Sequence, residues 1–493
     1  MRKRLSAVVA AVVAVMMALA LAPTAYAADA QTYKLTLTGT ATGHTYEAYQ
    51  IFTGDLTTNT DGNKVLSNVQ WGTGVTYTGT ESAADVAKAL GDGTMTVAQL
   101  EEKLTLTTPA KTVASAKDST VIDGLAAGYY LVKDKDGSQK DTSDAYTKFI
   151  VQVVGDTEAN IKSGVPTVEK KVKDTNDSTG KTSEWQDSAD YDIGDSVPYQ
   201  ITGTMPQNID DYTTYYYKFT DTMSAGLTYT AKTATIKIGD ADVTNAFAET
   251  VTPNADGTTT VTWECSDLKA ISDVTLASDS TVVVSYNATL NDKAVIGSTG
   301  NPNEVDLTFS NNPNKGGQGD HGTTPKDKNI VFTYKTVVNK VDQGKKSLKG
   351  AAFKLEKKLA DGGYTTVKEF TAGEETSFEF TGLDDGDYKL TETTTPAGYN
   401  TITPIEFTIS AEHDPESADP KLTSLSGNVT TGEVTFTADV KAGSLTTDVM
   451  NKKGSTLPST GGMGTTVLYV AGAAIVVAAG VGLAIRRNKR RDA

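Results

Sequence analysis

A lysine, an aspartate and an asparagine in the middle of the chain lie at positions where β-strands would turn them inward. Successive side chains of a strand point to opposite faces of the sheet, so residues two apart share a face. Apolar residues alternate with each of the three: Val168 and Val172 with Lys170, Phe219 and Met223 with Asp221, and Val305, Leu307 and Phe309 with Asn303. We therefore predict that Lys170, Asp221 and Asn303 face an apolar interior.

These residue types can form an amide crosslink. Burial in an apolar core lowers the pKa of a lysine amine, which then becomes nucleophilic near neutral pH. A buried carboxyl is pushed toward its protonated form, in which it can polarise the asparagine carbonyl and relay protons. Attack of Lys170 on the side-chain carbon of Asn303 would release ammonia and tie the first strand of this segment to its last. Taken alone, Lys170 could equally be an ordinary surface lysine at a strand end.

A second set of the same kind follows in the same chain order. Lys340 stands near the start of the next segment, Glu392 shares its strand face with Leu390, and Asn451 shares its face with Val449. Apolar residues also alternate with Lys340, although valines lie on the opposite face of the same strand. Two lysine, acid and asparagine sets in matching order favour crosslinking over surface lysines.

The elements that must position these residues are strands. The chain is rich in Thr, Val and Tyr in short alternating runs, punctuated by Gly, Asn and Asp, and has little helical periodicity. This pattern predicts an all-β protein of tandem β-sandwiches. The exception is the amphipathic stretch 83–104, which predicts one or two short helices in the first domain.

The N-terminal end has the pattern of a secretory signal. Basic residues at 2–4 precede an apolar run over 5–21, and small residues flank a tyrosine at 25–27. This arrangement predicts a signal peptide over residues 1–27, so we expect a secreted protein.

The C-terminal end combines a short motif, an apolar stretch and a basic tail. The apolar stretch covers residues 465–485 and is long enough to span a membrane as a helix, with the basic tail on the cytoplasmic side. A single-pass membrane anchor is the simplest interpretation. The motif that precedes the stretch is Leu457, Pro458, Ser459, Thr460 and Gly461.

Prolines and changes in composition divide the part between these ends into about three domains. We predict a first domain over residues 28–165, a central domain over 166–329 and a third over 330–452. Residues 453–493 then carry the C-terminal motif, the apolar stretch and the basic tail.

Composition excludes several classes of function. The net charge of −16 argues against nucleic-acid binding. Cys265 is the sole cysteine, so no disulfide can form within the chain. The three histidines lie far apart, in no metal-ligand spacing and beside no nucleophile motif. We therefore expect no metal site and no cofactor, and we interpret the histidines as surface residues.

The C-terminal features together resemble the cell-wall sorting signal of sortase substrates, a signal with an LPxTG motif. The resemblance implies cleavage between Thr460 and Gly461 by a sortase, a membrane-held cysteine transpeptidase, which passes the Thr460 carbonyl to an amine. The membrane span would then hold the precursor only transiently. It implies a surface protein joined covalently to the peptidoglycan of a Gram-positive cell wall.

The body resembles sortase-assembled backbone pilins, the major fimbrial subunits of Gram-positive bacteria. The run Tyr388 to Tyr399 is similar to the pilin E-box, whose glutamate would be Glu392. The resemblance implies CNA-B-type and Ig-like sandwiches, Lys–Asn isopeptide bonds, and partners that include further copies of the chain and accessory pilins. It assigns Asp221 and Glu392 as the promoting acids of the Lys170–Asn303 and Lys340–Asn451 bonds.

Two positions depart from the family pattern. The Tyr-Pro-Lys motif, whose lysine attacks the sortase thioester, is absent, and we take Lys162 in the linker between the first two domains as the polymerising lysine. Other lysines could serve in its place, namely Lys148, Lys171 and Lys173. The first domain has Lys133 where the E-box needs an acid, so we assign no crosslink to it, although Lys34 and Asn160 stand near its ends.

Three classes of function fit these features unequally. A covalently polymerised shaft subunit that supports surface adhesion uses all of them. A wall-anchored monomeric adhesin that binds a host or glycan ligand would share the sorting signal and the β-domains. An enzyme such as a wall hydrolase is disfavoured, because no paired carboxylates, Cys/His or Ser/His arrangement is found outside the two sets.

Overall fold

The computed structural model describes residues 31–454 except 61, 96, 140–143, 162 and 163. Strands dominate this part of the chain and gather into three groups that follow one another in sequence. We call them the N-terminal module (residues 31–161), the central module (residues 164–332) and the C-terminal module (residues 334–454). The expected all-β architecture of tandem sandwiches is confirmed.

The N-terminal module contains ten strands and the two helices of the described residues. Its strands are β1 (Thr32–Thr40), β2 (Thr45–Thr58), β3 (Lys64–Trp71), β4 (Val75–Tyr77), β5 (Leu104–Leu106), β6 (Lys111–Ala114), β7 (Asp118–Ala126), β8 (Gly128–Asp134), β9 (Lys148–Val153) and β10 (Thr157–Asn160). The helices are α1 (Ala83–Gly91) and α2 (Val97–Glu101), as the amphipathic stretch predicted. Helix α1 begins after Ser82, whose hydroxyl accepts a hydrogen bond from the backbone of Asp85.

Two sheets face each other in the N-terminal module. One has the order β10-β1-β7, and the other has the order β3-β2-β8-β9 with β6 also paired to β2. Leu35 and Leu37 of the first sheet pack against Tyr46 and Val132 of the second. Strands β1 and β10, the first and last of the module, run parallel and side by side.

The central module contains fifteen strands. They are β11 (Val168–Val172), β12 (Thr175–Asn176), β13 (Lys181–Thr182), β14 (Ser188–Asp190), β15 (Ser196–Thr204), β16 (Tyr217–Met223), β17 (Leu227–Tyr229), β18 (Thr235–Ile238), β19 (Ala241–Asp242), β20 (Ala248–Pro253), β21 (Thr259–Cys265), β22 (Thr281–Leu290), β23 (Asn301–Ser310), β24 (His321–Thr323) and β25 (Asp327–Phe332). Short 3-10 turns occur at Ile209–Asp211, Thr244–Ala246, Leu268–Ala270 and Pro313–Lys315.

Two large sheets form the central sandwich. The first has the order β11-β15-β22-β18-β19 with β17 on β22, and the second has the order β14-β25-β23-β16-β21-β20 with β24 on β23. Aromatic residues from both sheets, Tyr199 and Phe219 among them, fill the interior, and Cys265 lies buried beside Trp263. Strand β25 continues to Phe332, so the boundary predicted after residue 329 falls inside this strand.

The C-terminal module is a sandwich of nine strands. They are β26 (Tyr334–Asp342), β27 (Ala352–Lys358), β28 (Tyr364–Phe370), β29 (Ser377–Leu383), β30 (Gly386–Thr394), β31 (Ile405–His413), β32 (Leu422–Thr431), β33 (Thr437–Asp439) and β34 (Ser444–Asn451). One sheet has the order β29-β26-β34-β33 and the other β28-β27-β30-β31-β32. The first and last strands, β26 and β34, again run parallel as neighbours.

Membrane-spanning helices are not found among the described residues. The apolar stretch 465–485, which we predicted to span a membrane, lies outside that part of the chain.

Candidate crosslinking sites

Four strands of the central module bring polar side chains together in its core. Lys170 comes from β11 and Tyr286 from β22, both in the first sheet. Asp221 comes from β16 and Asn303 from β23, which are adjacent in the second sheet with Met223 directly opposite Asn303. In each strand the residues on either side of the polar one are turned outward, so alternation alone directs these side chains into the interior.

A hydrogen-bonded network joins these side chains. The Lys170 ammonium lies 2.8 Å from Asp221 Oδ1 and 2.7 Å from the Tyr286 hydroxyl oxygen. That hydroxyl donates to Asp221 Oδ2, and it accepts a hydrogen bond of 2.8 Å from Asn303 Nδ2. The structure thus brings together the three residues that we selected from the sequence and adds Tyr286 as the partner common to all of them.

Solvent is excluded from this network. Lys170, Asp221 and Asn303 are each 0 % exposed. Burial lowers the pKa of Lys170, and the neighbouring Asp221 opposes the shift. The ring centroids of Tyr199 and Tyr286 lie 5.0 and 5.1 Å from the Lys170 nitrogen, so aromatic faces enclose the amine. A site this dry favours the neutral amine that nucleophilic attack needs.

The side-chain carbonyl oxygen of Asn303 is free to change its bonding. It is buried, and it has no hydrogen-bond partner among the described residues. Passage of a proton from Lys170 to Asp221 along their 2.8 Å contact would leave a neutral amine and a carboxylic acid. The acid could then donate to the oxygen of the tetrahedral intermediate and pass a proton to the departing ammonia.

The C-terminal module holds a second site at one end of its sandwich. Lys340 on β26 and Asn451 on β34 come from neighbouring parallel strands of one sheet, in which Lys340 is opposite Val449. Glu392 on β30 reaches them from the opposite sheet. Lys340 is buried even though Val341, which precedes a turn back to Ser347, is buried as well.

Contacts at this second site centre on the glutamate. The Lys340 nitrogen lies 3.1 Å from Glu392 Oε1, and Asn451 Nδ2 donates to Glu392 Oε2 at 3.0 Å. Lys340 and Asn451 are both 0 % exposed, and burial lowers the pKa of Lys340. The side-chain carbonyl of Asn451, like that of Asn303, is buried without a hydrogen-bond partner in the described structure. The same amine, acid and amide chemistry is therefore available here.

No such site is found among the described residues of the N-terminal module. Lys34 and Asn160 are exposed at their positions on β1 and β10. Lys133, which stands where the E-box would need its acid, pairs with Asp136 at 3.1 Å.

An ionic network occupies the interior of this module instead. The interpretation of His44 as a surface residue is wrong: it is buried, with Nδ1 3.0 Å from Asp134 and Nε2 2.8 Å from Asp144. Hydrogen bonds to these two carboxylates raise the pKa of His44 to about 10.

The lysines considered for polymerisation differ in the contacts that hold them. Lys162 lies outside the described residues, as do Leu457, Pro458, Ser459, Thr460 and Gly461 of the sorting motif. Lys148 is largely buried and held by Glu101 and the carbonyl of Pro313. Lys171 pairs with Asp187 at 2.7 Å, and Lys173 lies over the ring of Trp185.

Tyr286 is the residue of the central site that we did not select from the sequence. It alternates with Val282, Val284 and Ala288 along β22, so its inward direction could have been predicted from the same alternation. Alternation along one strand does not give the register between strands. That register places the Tyr286 hydroxyl between Lys170, Asp221 and Asn303.

Comparison with known families assigns three parts of the chain. Residues 193–313 match the Gram-positive pilin backbone subunit 2, Cna-B-like domain. Residues 335–421 match the SpaA prealbumin-like fold domain, and residues 450–491 match the LPXTG cell wall anchor motif. The chain thus carries a domain of the Gram-positive pilin backbone family and a cell wall anchor motif. The anchor motif indicates a surface protein attached to the cell wall.

Two individual proteins are similar to this chain. The chain is 29 % identical over 255 residues to the trypsin-resistant surface T6 protein of Streptococcus pyogenes serotype M6, a match over 48 % of this chain and 44 % of the relative. It thus spans less than half the length of that curated relative. The solved T6 backbone pilin of the same serotype has a similar fold, with a TM-score of 0.53 at 19 % identity over 86 % of this chain and 99 % of that one.

Proposed function

We propose that this chain is the repeated subunit of a covalent pilus shaft, sealed internally by Lys170–Asn303 and Lys340–Asn451 isopeptide bonds. One observation carries the proposal above all. Two modules each place a buried lysine, a carboxylate and an asparagine with an unpaired carbonyl in contact. Buried charges of this kind destabilise a fold unless they are paired, so a purely structural role explains them poorly.

Crosslink formation balances without any added reagent. The lysine nitrogen attacks the asparagine side-chain carbon, the bond from that carbon to Nδ2 breaks, and ammonia leaves with a proton relayed by Asp221 or Glu392. Each bond forms once, so the chain is not an enzyme with turnover. A neutral amide replaces the buried ion pair, and it confines the unfolded chain as a disulfide would.

Such bonds suit a subunit that bears load along its length. In each module the bond would join the first strand to the last or to the sheet that holds the last strand. Tension applied at the module's two ends would then pass through the covalent bond and leave the sandwich folded. The T6 relative is described as trypsin-resistant, and we expect the same resistance here.

Subunits would be joined by sortase between Thr460 of one copy and Lys162 of the next. Lys162 lies between the N-terminal and central modules, whereas Lys148 and Lys171 are engaged in the ion pairs described above. The last subunit would pass its Thr460 to the peptidoglycan. Accessory pilins and an adhesion ligand belong to the same proposal.

Immunoblotting of boiled cell-wall extracts tests the polymer. Wild-type cells should give a ladder of high-mass bands, because covalent joints survive boiling in detergent. A Lys162→Ala strain should show the monomer alone, and a Lys171→Ala strain should keep the ladder. A single band in wild-type cells would contradict polymerisation and favour a wall-anchored monomeric adhesin. A ladder that persists in the Lys162→Ala strain would reassign the joint to another lysine.

A further inference from the structure

Carboxylates gather where the central and C-terminal modules meet. Asp174 follows β11, Asp190 ends β14, and His413 ends β31 of the C-terminal module. Backbone contacts hold this segment in place: the Ser188 hydroxyl donates to the carbonyl of Asp414, and the Asp187 amide donates to that of Pro415. The joint therefore brings one imidazole and two carboxylates together from parts of the chain far apart in sequence.

The lysine at this joint is already paired with carboxylates outside this group. Lys357 forms ion pairs with three other carboxylates. Its nitrogen lies 2.7 Å from Asp192 and 3.1 Å from Asp177, and it also pairs with Asp384. Asp190 is 2 % exposed, and Asp174 and Asp385 place further negative charge near it. A buried carboxylate beside other carboxylates would be stabilised by a bound cation.

Two contacts of the Ser188 hydroxyl bear on the tautomer of His413. When this hydroxyl donates its one proton to the Asp414 carbonyl at 2.8 Å, its oxygen accepts from His413 Nδ1 at 2.7 Å. Neutral His413 then carries its proton on Nδ1 and presents the lone pair of Nε2. A ring nitrogen oriented in this way by its other nitrogen is the usual state of a metal-binding histidine.

Geometry around Nε2 fits a small metal ion. His413 Nε2 lies 3.4 Å from Asp174 Oδ2. Two ligands at about 2.0–2.1 Å from a tetrahedral zinc ion lie about 3.3 Å apart. A carboxylate oxygen of Asp190 completes the group, with all three ligand atoms within 4.8 Å of one another. A modest inward shift would close them around one ion.

One buried polar atom nearby lacks a partner in the described structure. Asp174 Oδ1 has no hydrogen bond. The Tyr334 hydroxyl, 0 % exposed, lies against Asp190 and interacts with its carboxyl group. Unpaired groups such as Asp174 Oδ1 are uncommon in native interiors. A metal with a bound water would give this oxygen a partner.

We propose that Asp174, Asp190 and His413 bind one divalent transition-metal cation of the Zn²⁺ class, which fastens the central module to the C-terminal module. Carboxylate and imidazole ligands together suit Zn²⁺ better than Ca²⁺, which takes oxygen ligands. Spacing along the sequence predicted no metal site, because these ligands lie far apart in the chain. Here Asp174 and His413 belong to different modules. The proposal does not depend on pilus assembly or on the crosslinks.

Isothermal titration calorimetry of the chelator-treated mature protein with zinc chloride tests the site. We expect one Zn²⁺ per chain and at least a tenfold weaker affinity in His413→Gln. The matched control His321→Gln removes an exposed histidine stacked on Tyr216 and should bind like wild type. Equal affinities for wild type and His413→Gln, or no zinc binding by wild type, would overturn the proposal.

Two further measurements guard against a variant that simply misfolds. Asp174→Asn changes a partly exposed side chain and should weaken zinc binding with an unchanged circular dichroism spectrum. Co²⁺ added to wild type should give the visible absorption of a four-coordinate site, absent in Asp174→Asn. Full zinc affinity in a folded Asp174→Asn protein, or binding of Ca²⁺ in preference to Zn²⁺, would contradict the ligand set.

Discussion

The two candidate crosslinks place their asparagine on opposite sides of the core. In the central module Asn303 belongs to the sheet of the acid Asp221, and Lys170 faces both across the interior. In the C-terminal module Asn451 lies in the sheet of Lys340, on the next strand, and the acid alone crosses the core. The feature common to both sites is therefore an acid facing the lysine from the opposite sheet.

This difference changes what each bond would do mechanically. A Lys170–Asn303 bond would join two facing sheets and oppose their separation. A Lys340–Asn451 bond would join two strands that backbone hydrogen bonds already hold together. The central site also has Tyr286, which contacts the lysine, the acid and the asparagine. At the second site Lys340 and Asn451 both contact Glu392, and their other hydrogen bonds go to the backbone carbonyls of Val449 and Asn400.

Asp221→Asn should have the largest effect. It leaves the Lys170 charge buried without its partner and prevents the central bond. We expect a loss of about 3–5 kcal/mol in the free energy of unfolding. Measured against the mass calculated from its own sequence, the variant should lose one ammonia, about 17 Da, where wild type loses two. Calorimetry and intact mass spectrometry measure the two effects. Asp306→Asn, on the outward face of β23, is the control and should lose two ammonias as wild type does. A normal crosslink in Asp221→Asn would remove the acid from the mechanism.

Asn451→Ala should abolish the C-terminal bond with a smaller mechanical effect. The loss of chain confinement would lower the free energy of unfolding by about 3–4 kcal/mol. Strands β26 and β34 should remain paired, so protection of their amides from hydrogen exchange should persist. Asn339→Ala, which alters an exposed side chain of β26, is the matched control. If Asn451→Ala and wild type show the same ammonia loss, each relative to its own calculated mass, and the same stability, the second site forms no bond.

The N-terminal module extends the comparison, because its buried interaction is the ion pairing of His44 with two carboxylates. This interaction should respond to pH. The pKa of His44 is about 10 in the folded chain against an ordinary value of 6.5. Its stabilisation is thus complete below pH 6.5 and is lost as the pH rises toward 10. Burial also raises the pKa of Asp134, which offsets part of the gain. We expect a loss on the order of 2 kcal/mol over this range.

Scanning calorimetry at a series of pH values measures this loss. The transition that moves with pH should become insensitive in His44→Gln, whereas His321→Gln should behave as wild type. A pH dependence that is the same in His44→Gln and wild type would show that His44 is not the titrating group.

Tyr286→Phe should have the smallest effect on the finished fold and a selective effect on rate. It removes one hydroxyl from the central site and keeps the ring, so the central bond should form at least tenfold more slowly. The C-terminal bond should form at the normal rate. Tyr199→Phe is the control, because its ring also faces Lys170 while its hydroxyl forms no hydrogen bond with Lys170 or Asp221. Time-resolved mass spectrometry after refolding distinguishes the two bonds. An unchanged central rate would exclude Tyr286 from the chemistry.

Alternation along strands predicted much of this architecture. It identified the inward direction of Lys170, Asp221 and Asn303 because each stands in a clean run of alternating apolar residues. It was less informative for Lys340, since the strand end around Val341 is buried on both faces. The short helices followed from one amphipathic stretch.

What the sequence could not predict depends on contacts between distant segments. Tyr286 joins the central site only through the register that sets it beside Tyr199 on the neighbouring strand. His44 is buried because Asp134 and Asp144, far along the chain, fold over it. The cluster of Asp174, Asp190 and His413 exists only where two modules meet.

Intact mass spectrometry of the denatured mature protein tests the central claim most directly. Each crosslink loses one ammonia, so two bonds lower the mass by about 34 Da below the value calculated from the sequence. Peptide mapping should recover the Lys170 peptide joined to that of Asn303 and the Lys340 peptide joined to that of Asn451. A mass equal to the sequence value, with all four peptides unlinked, would contradict the account.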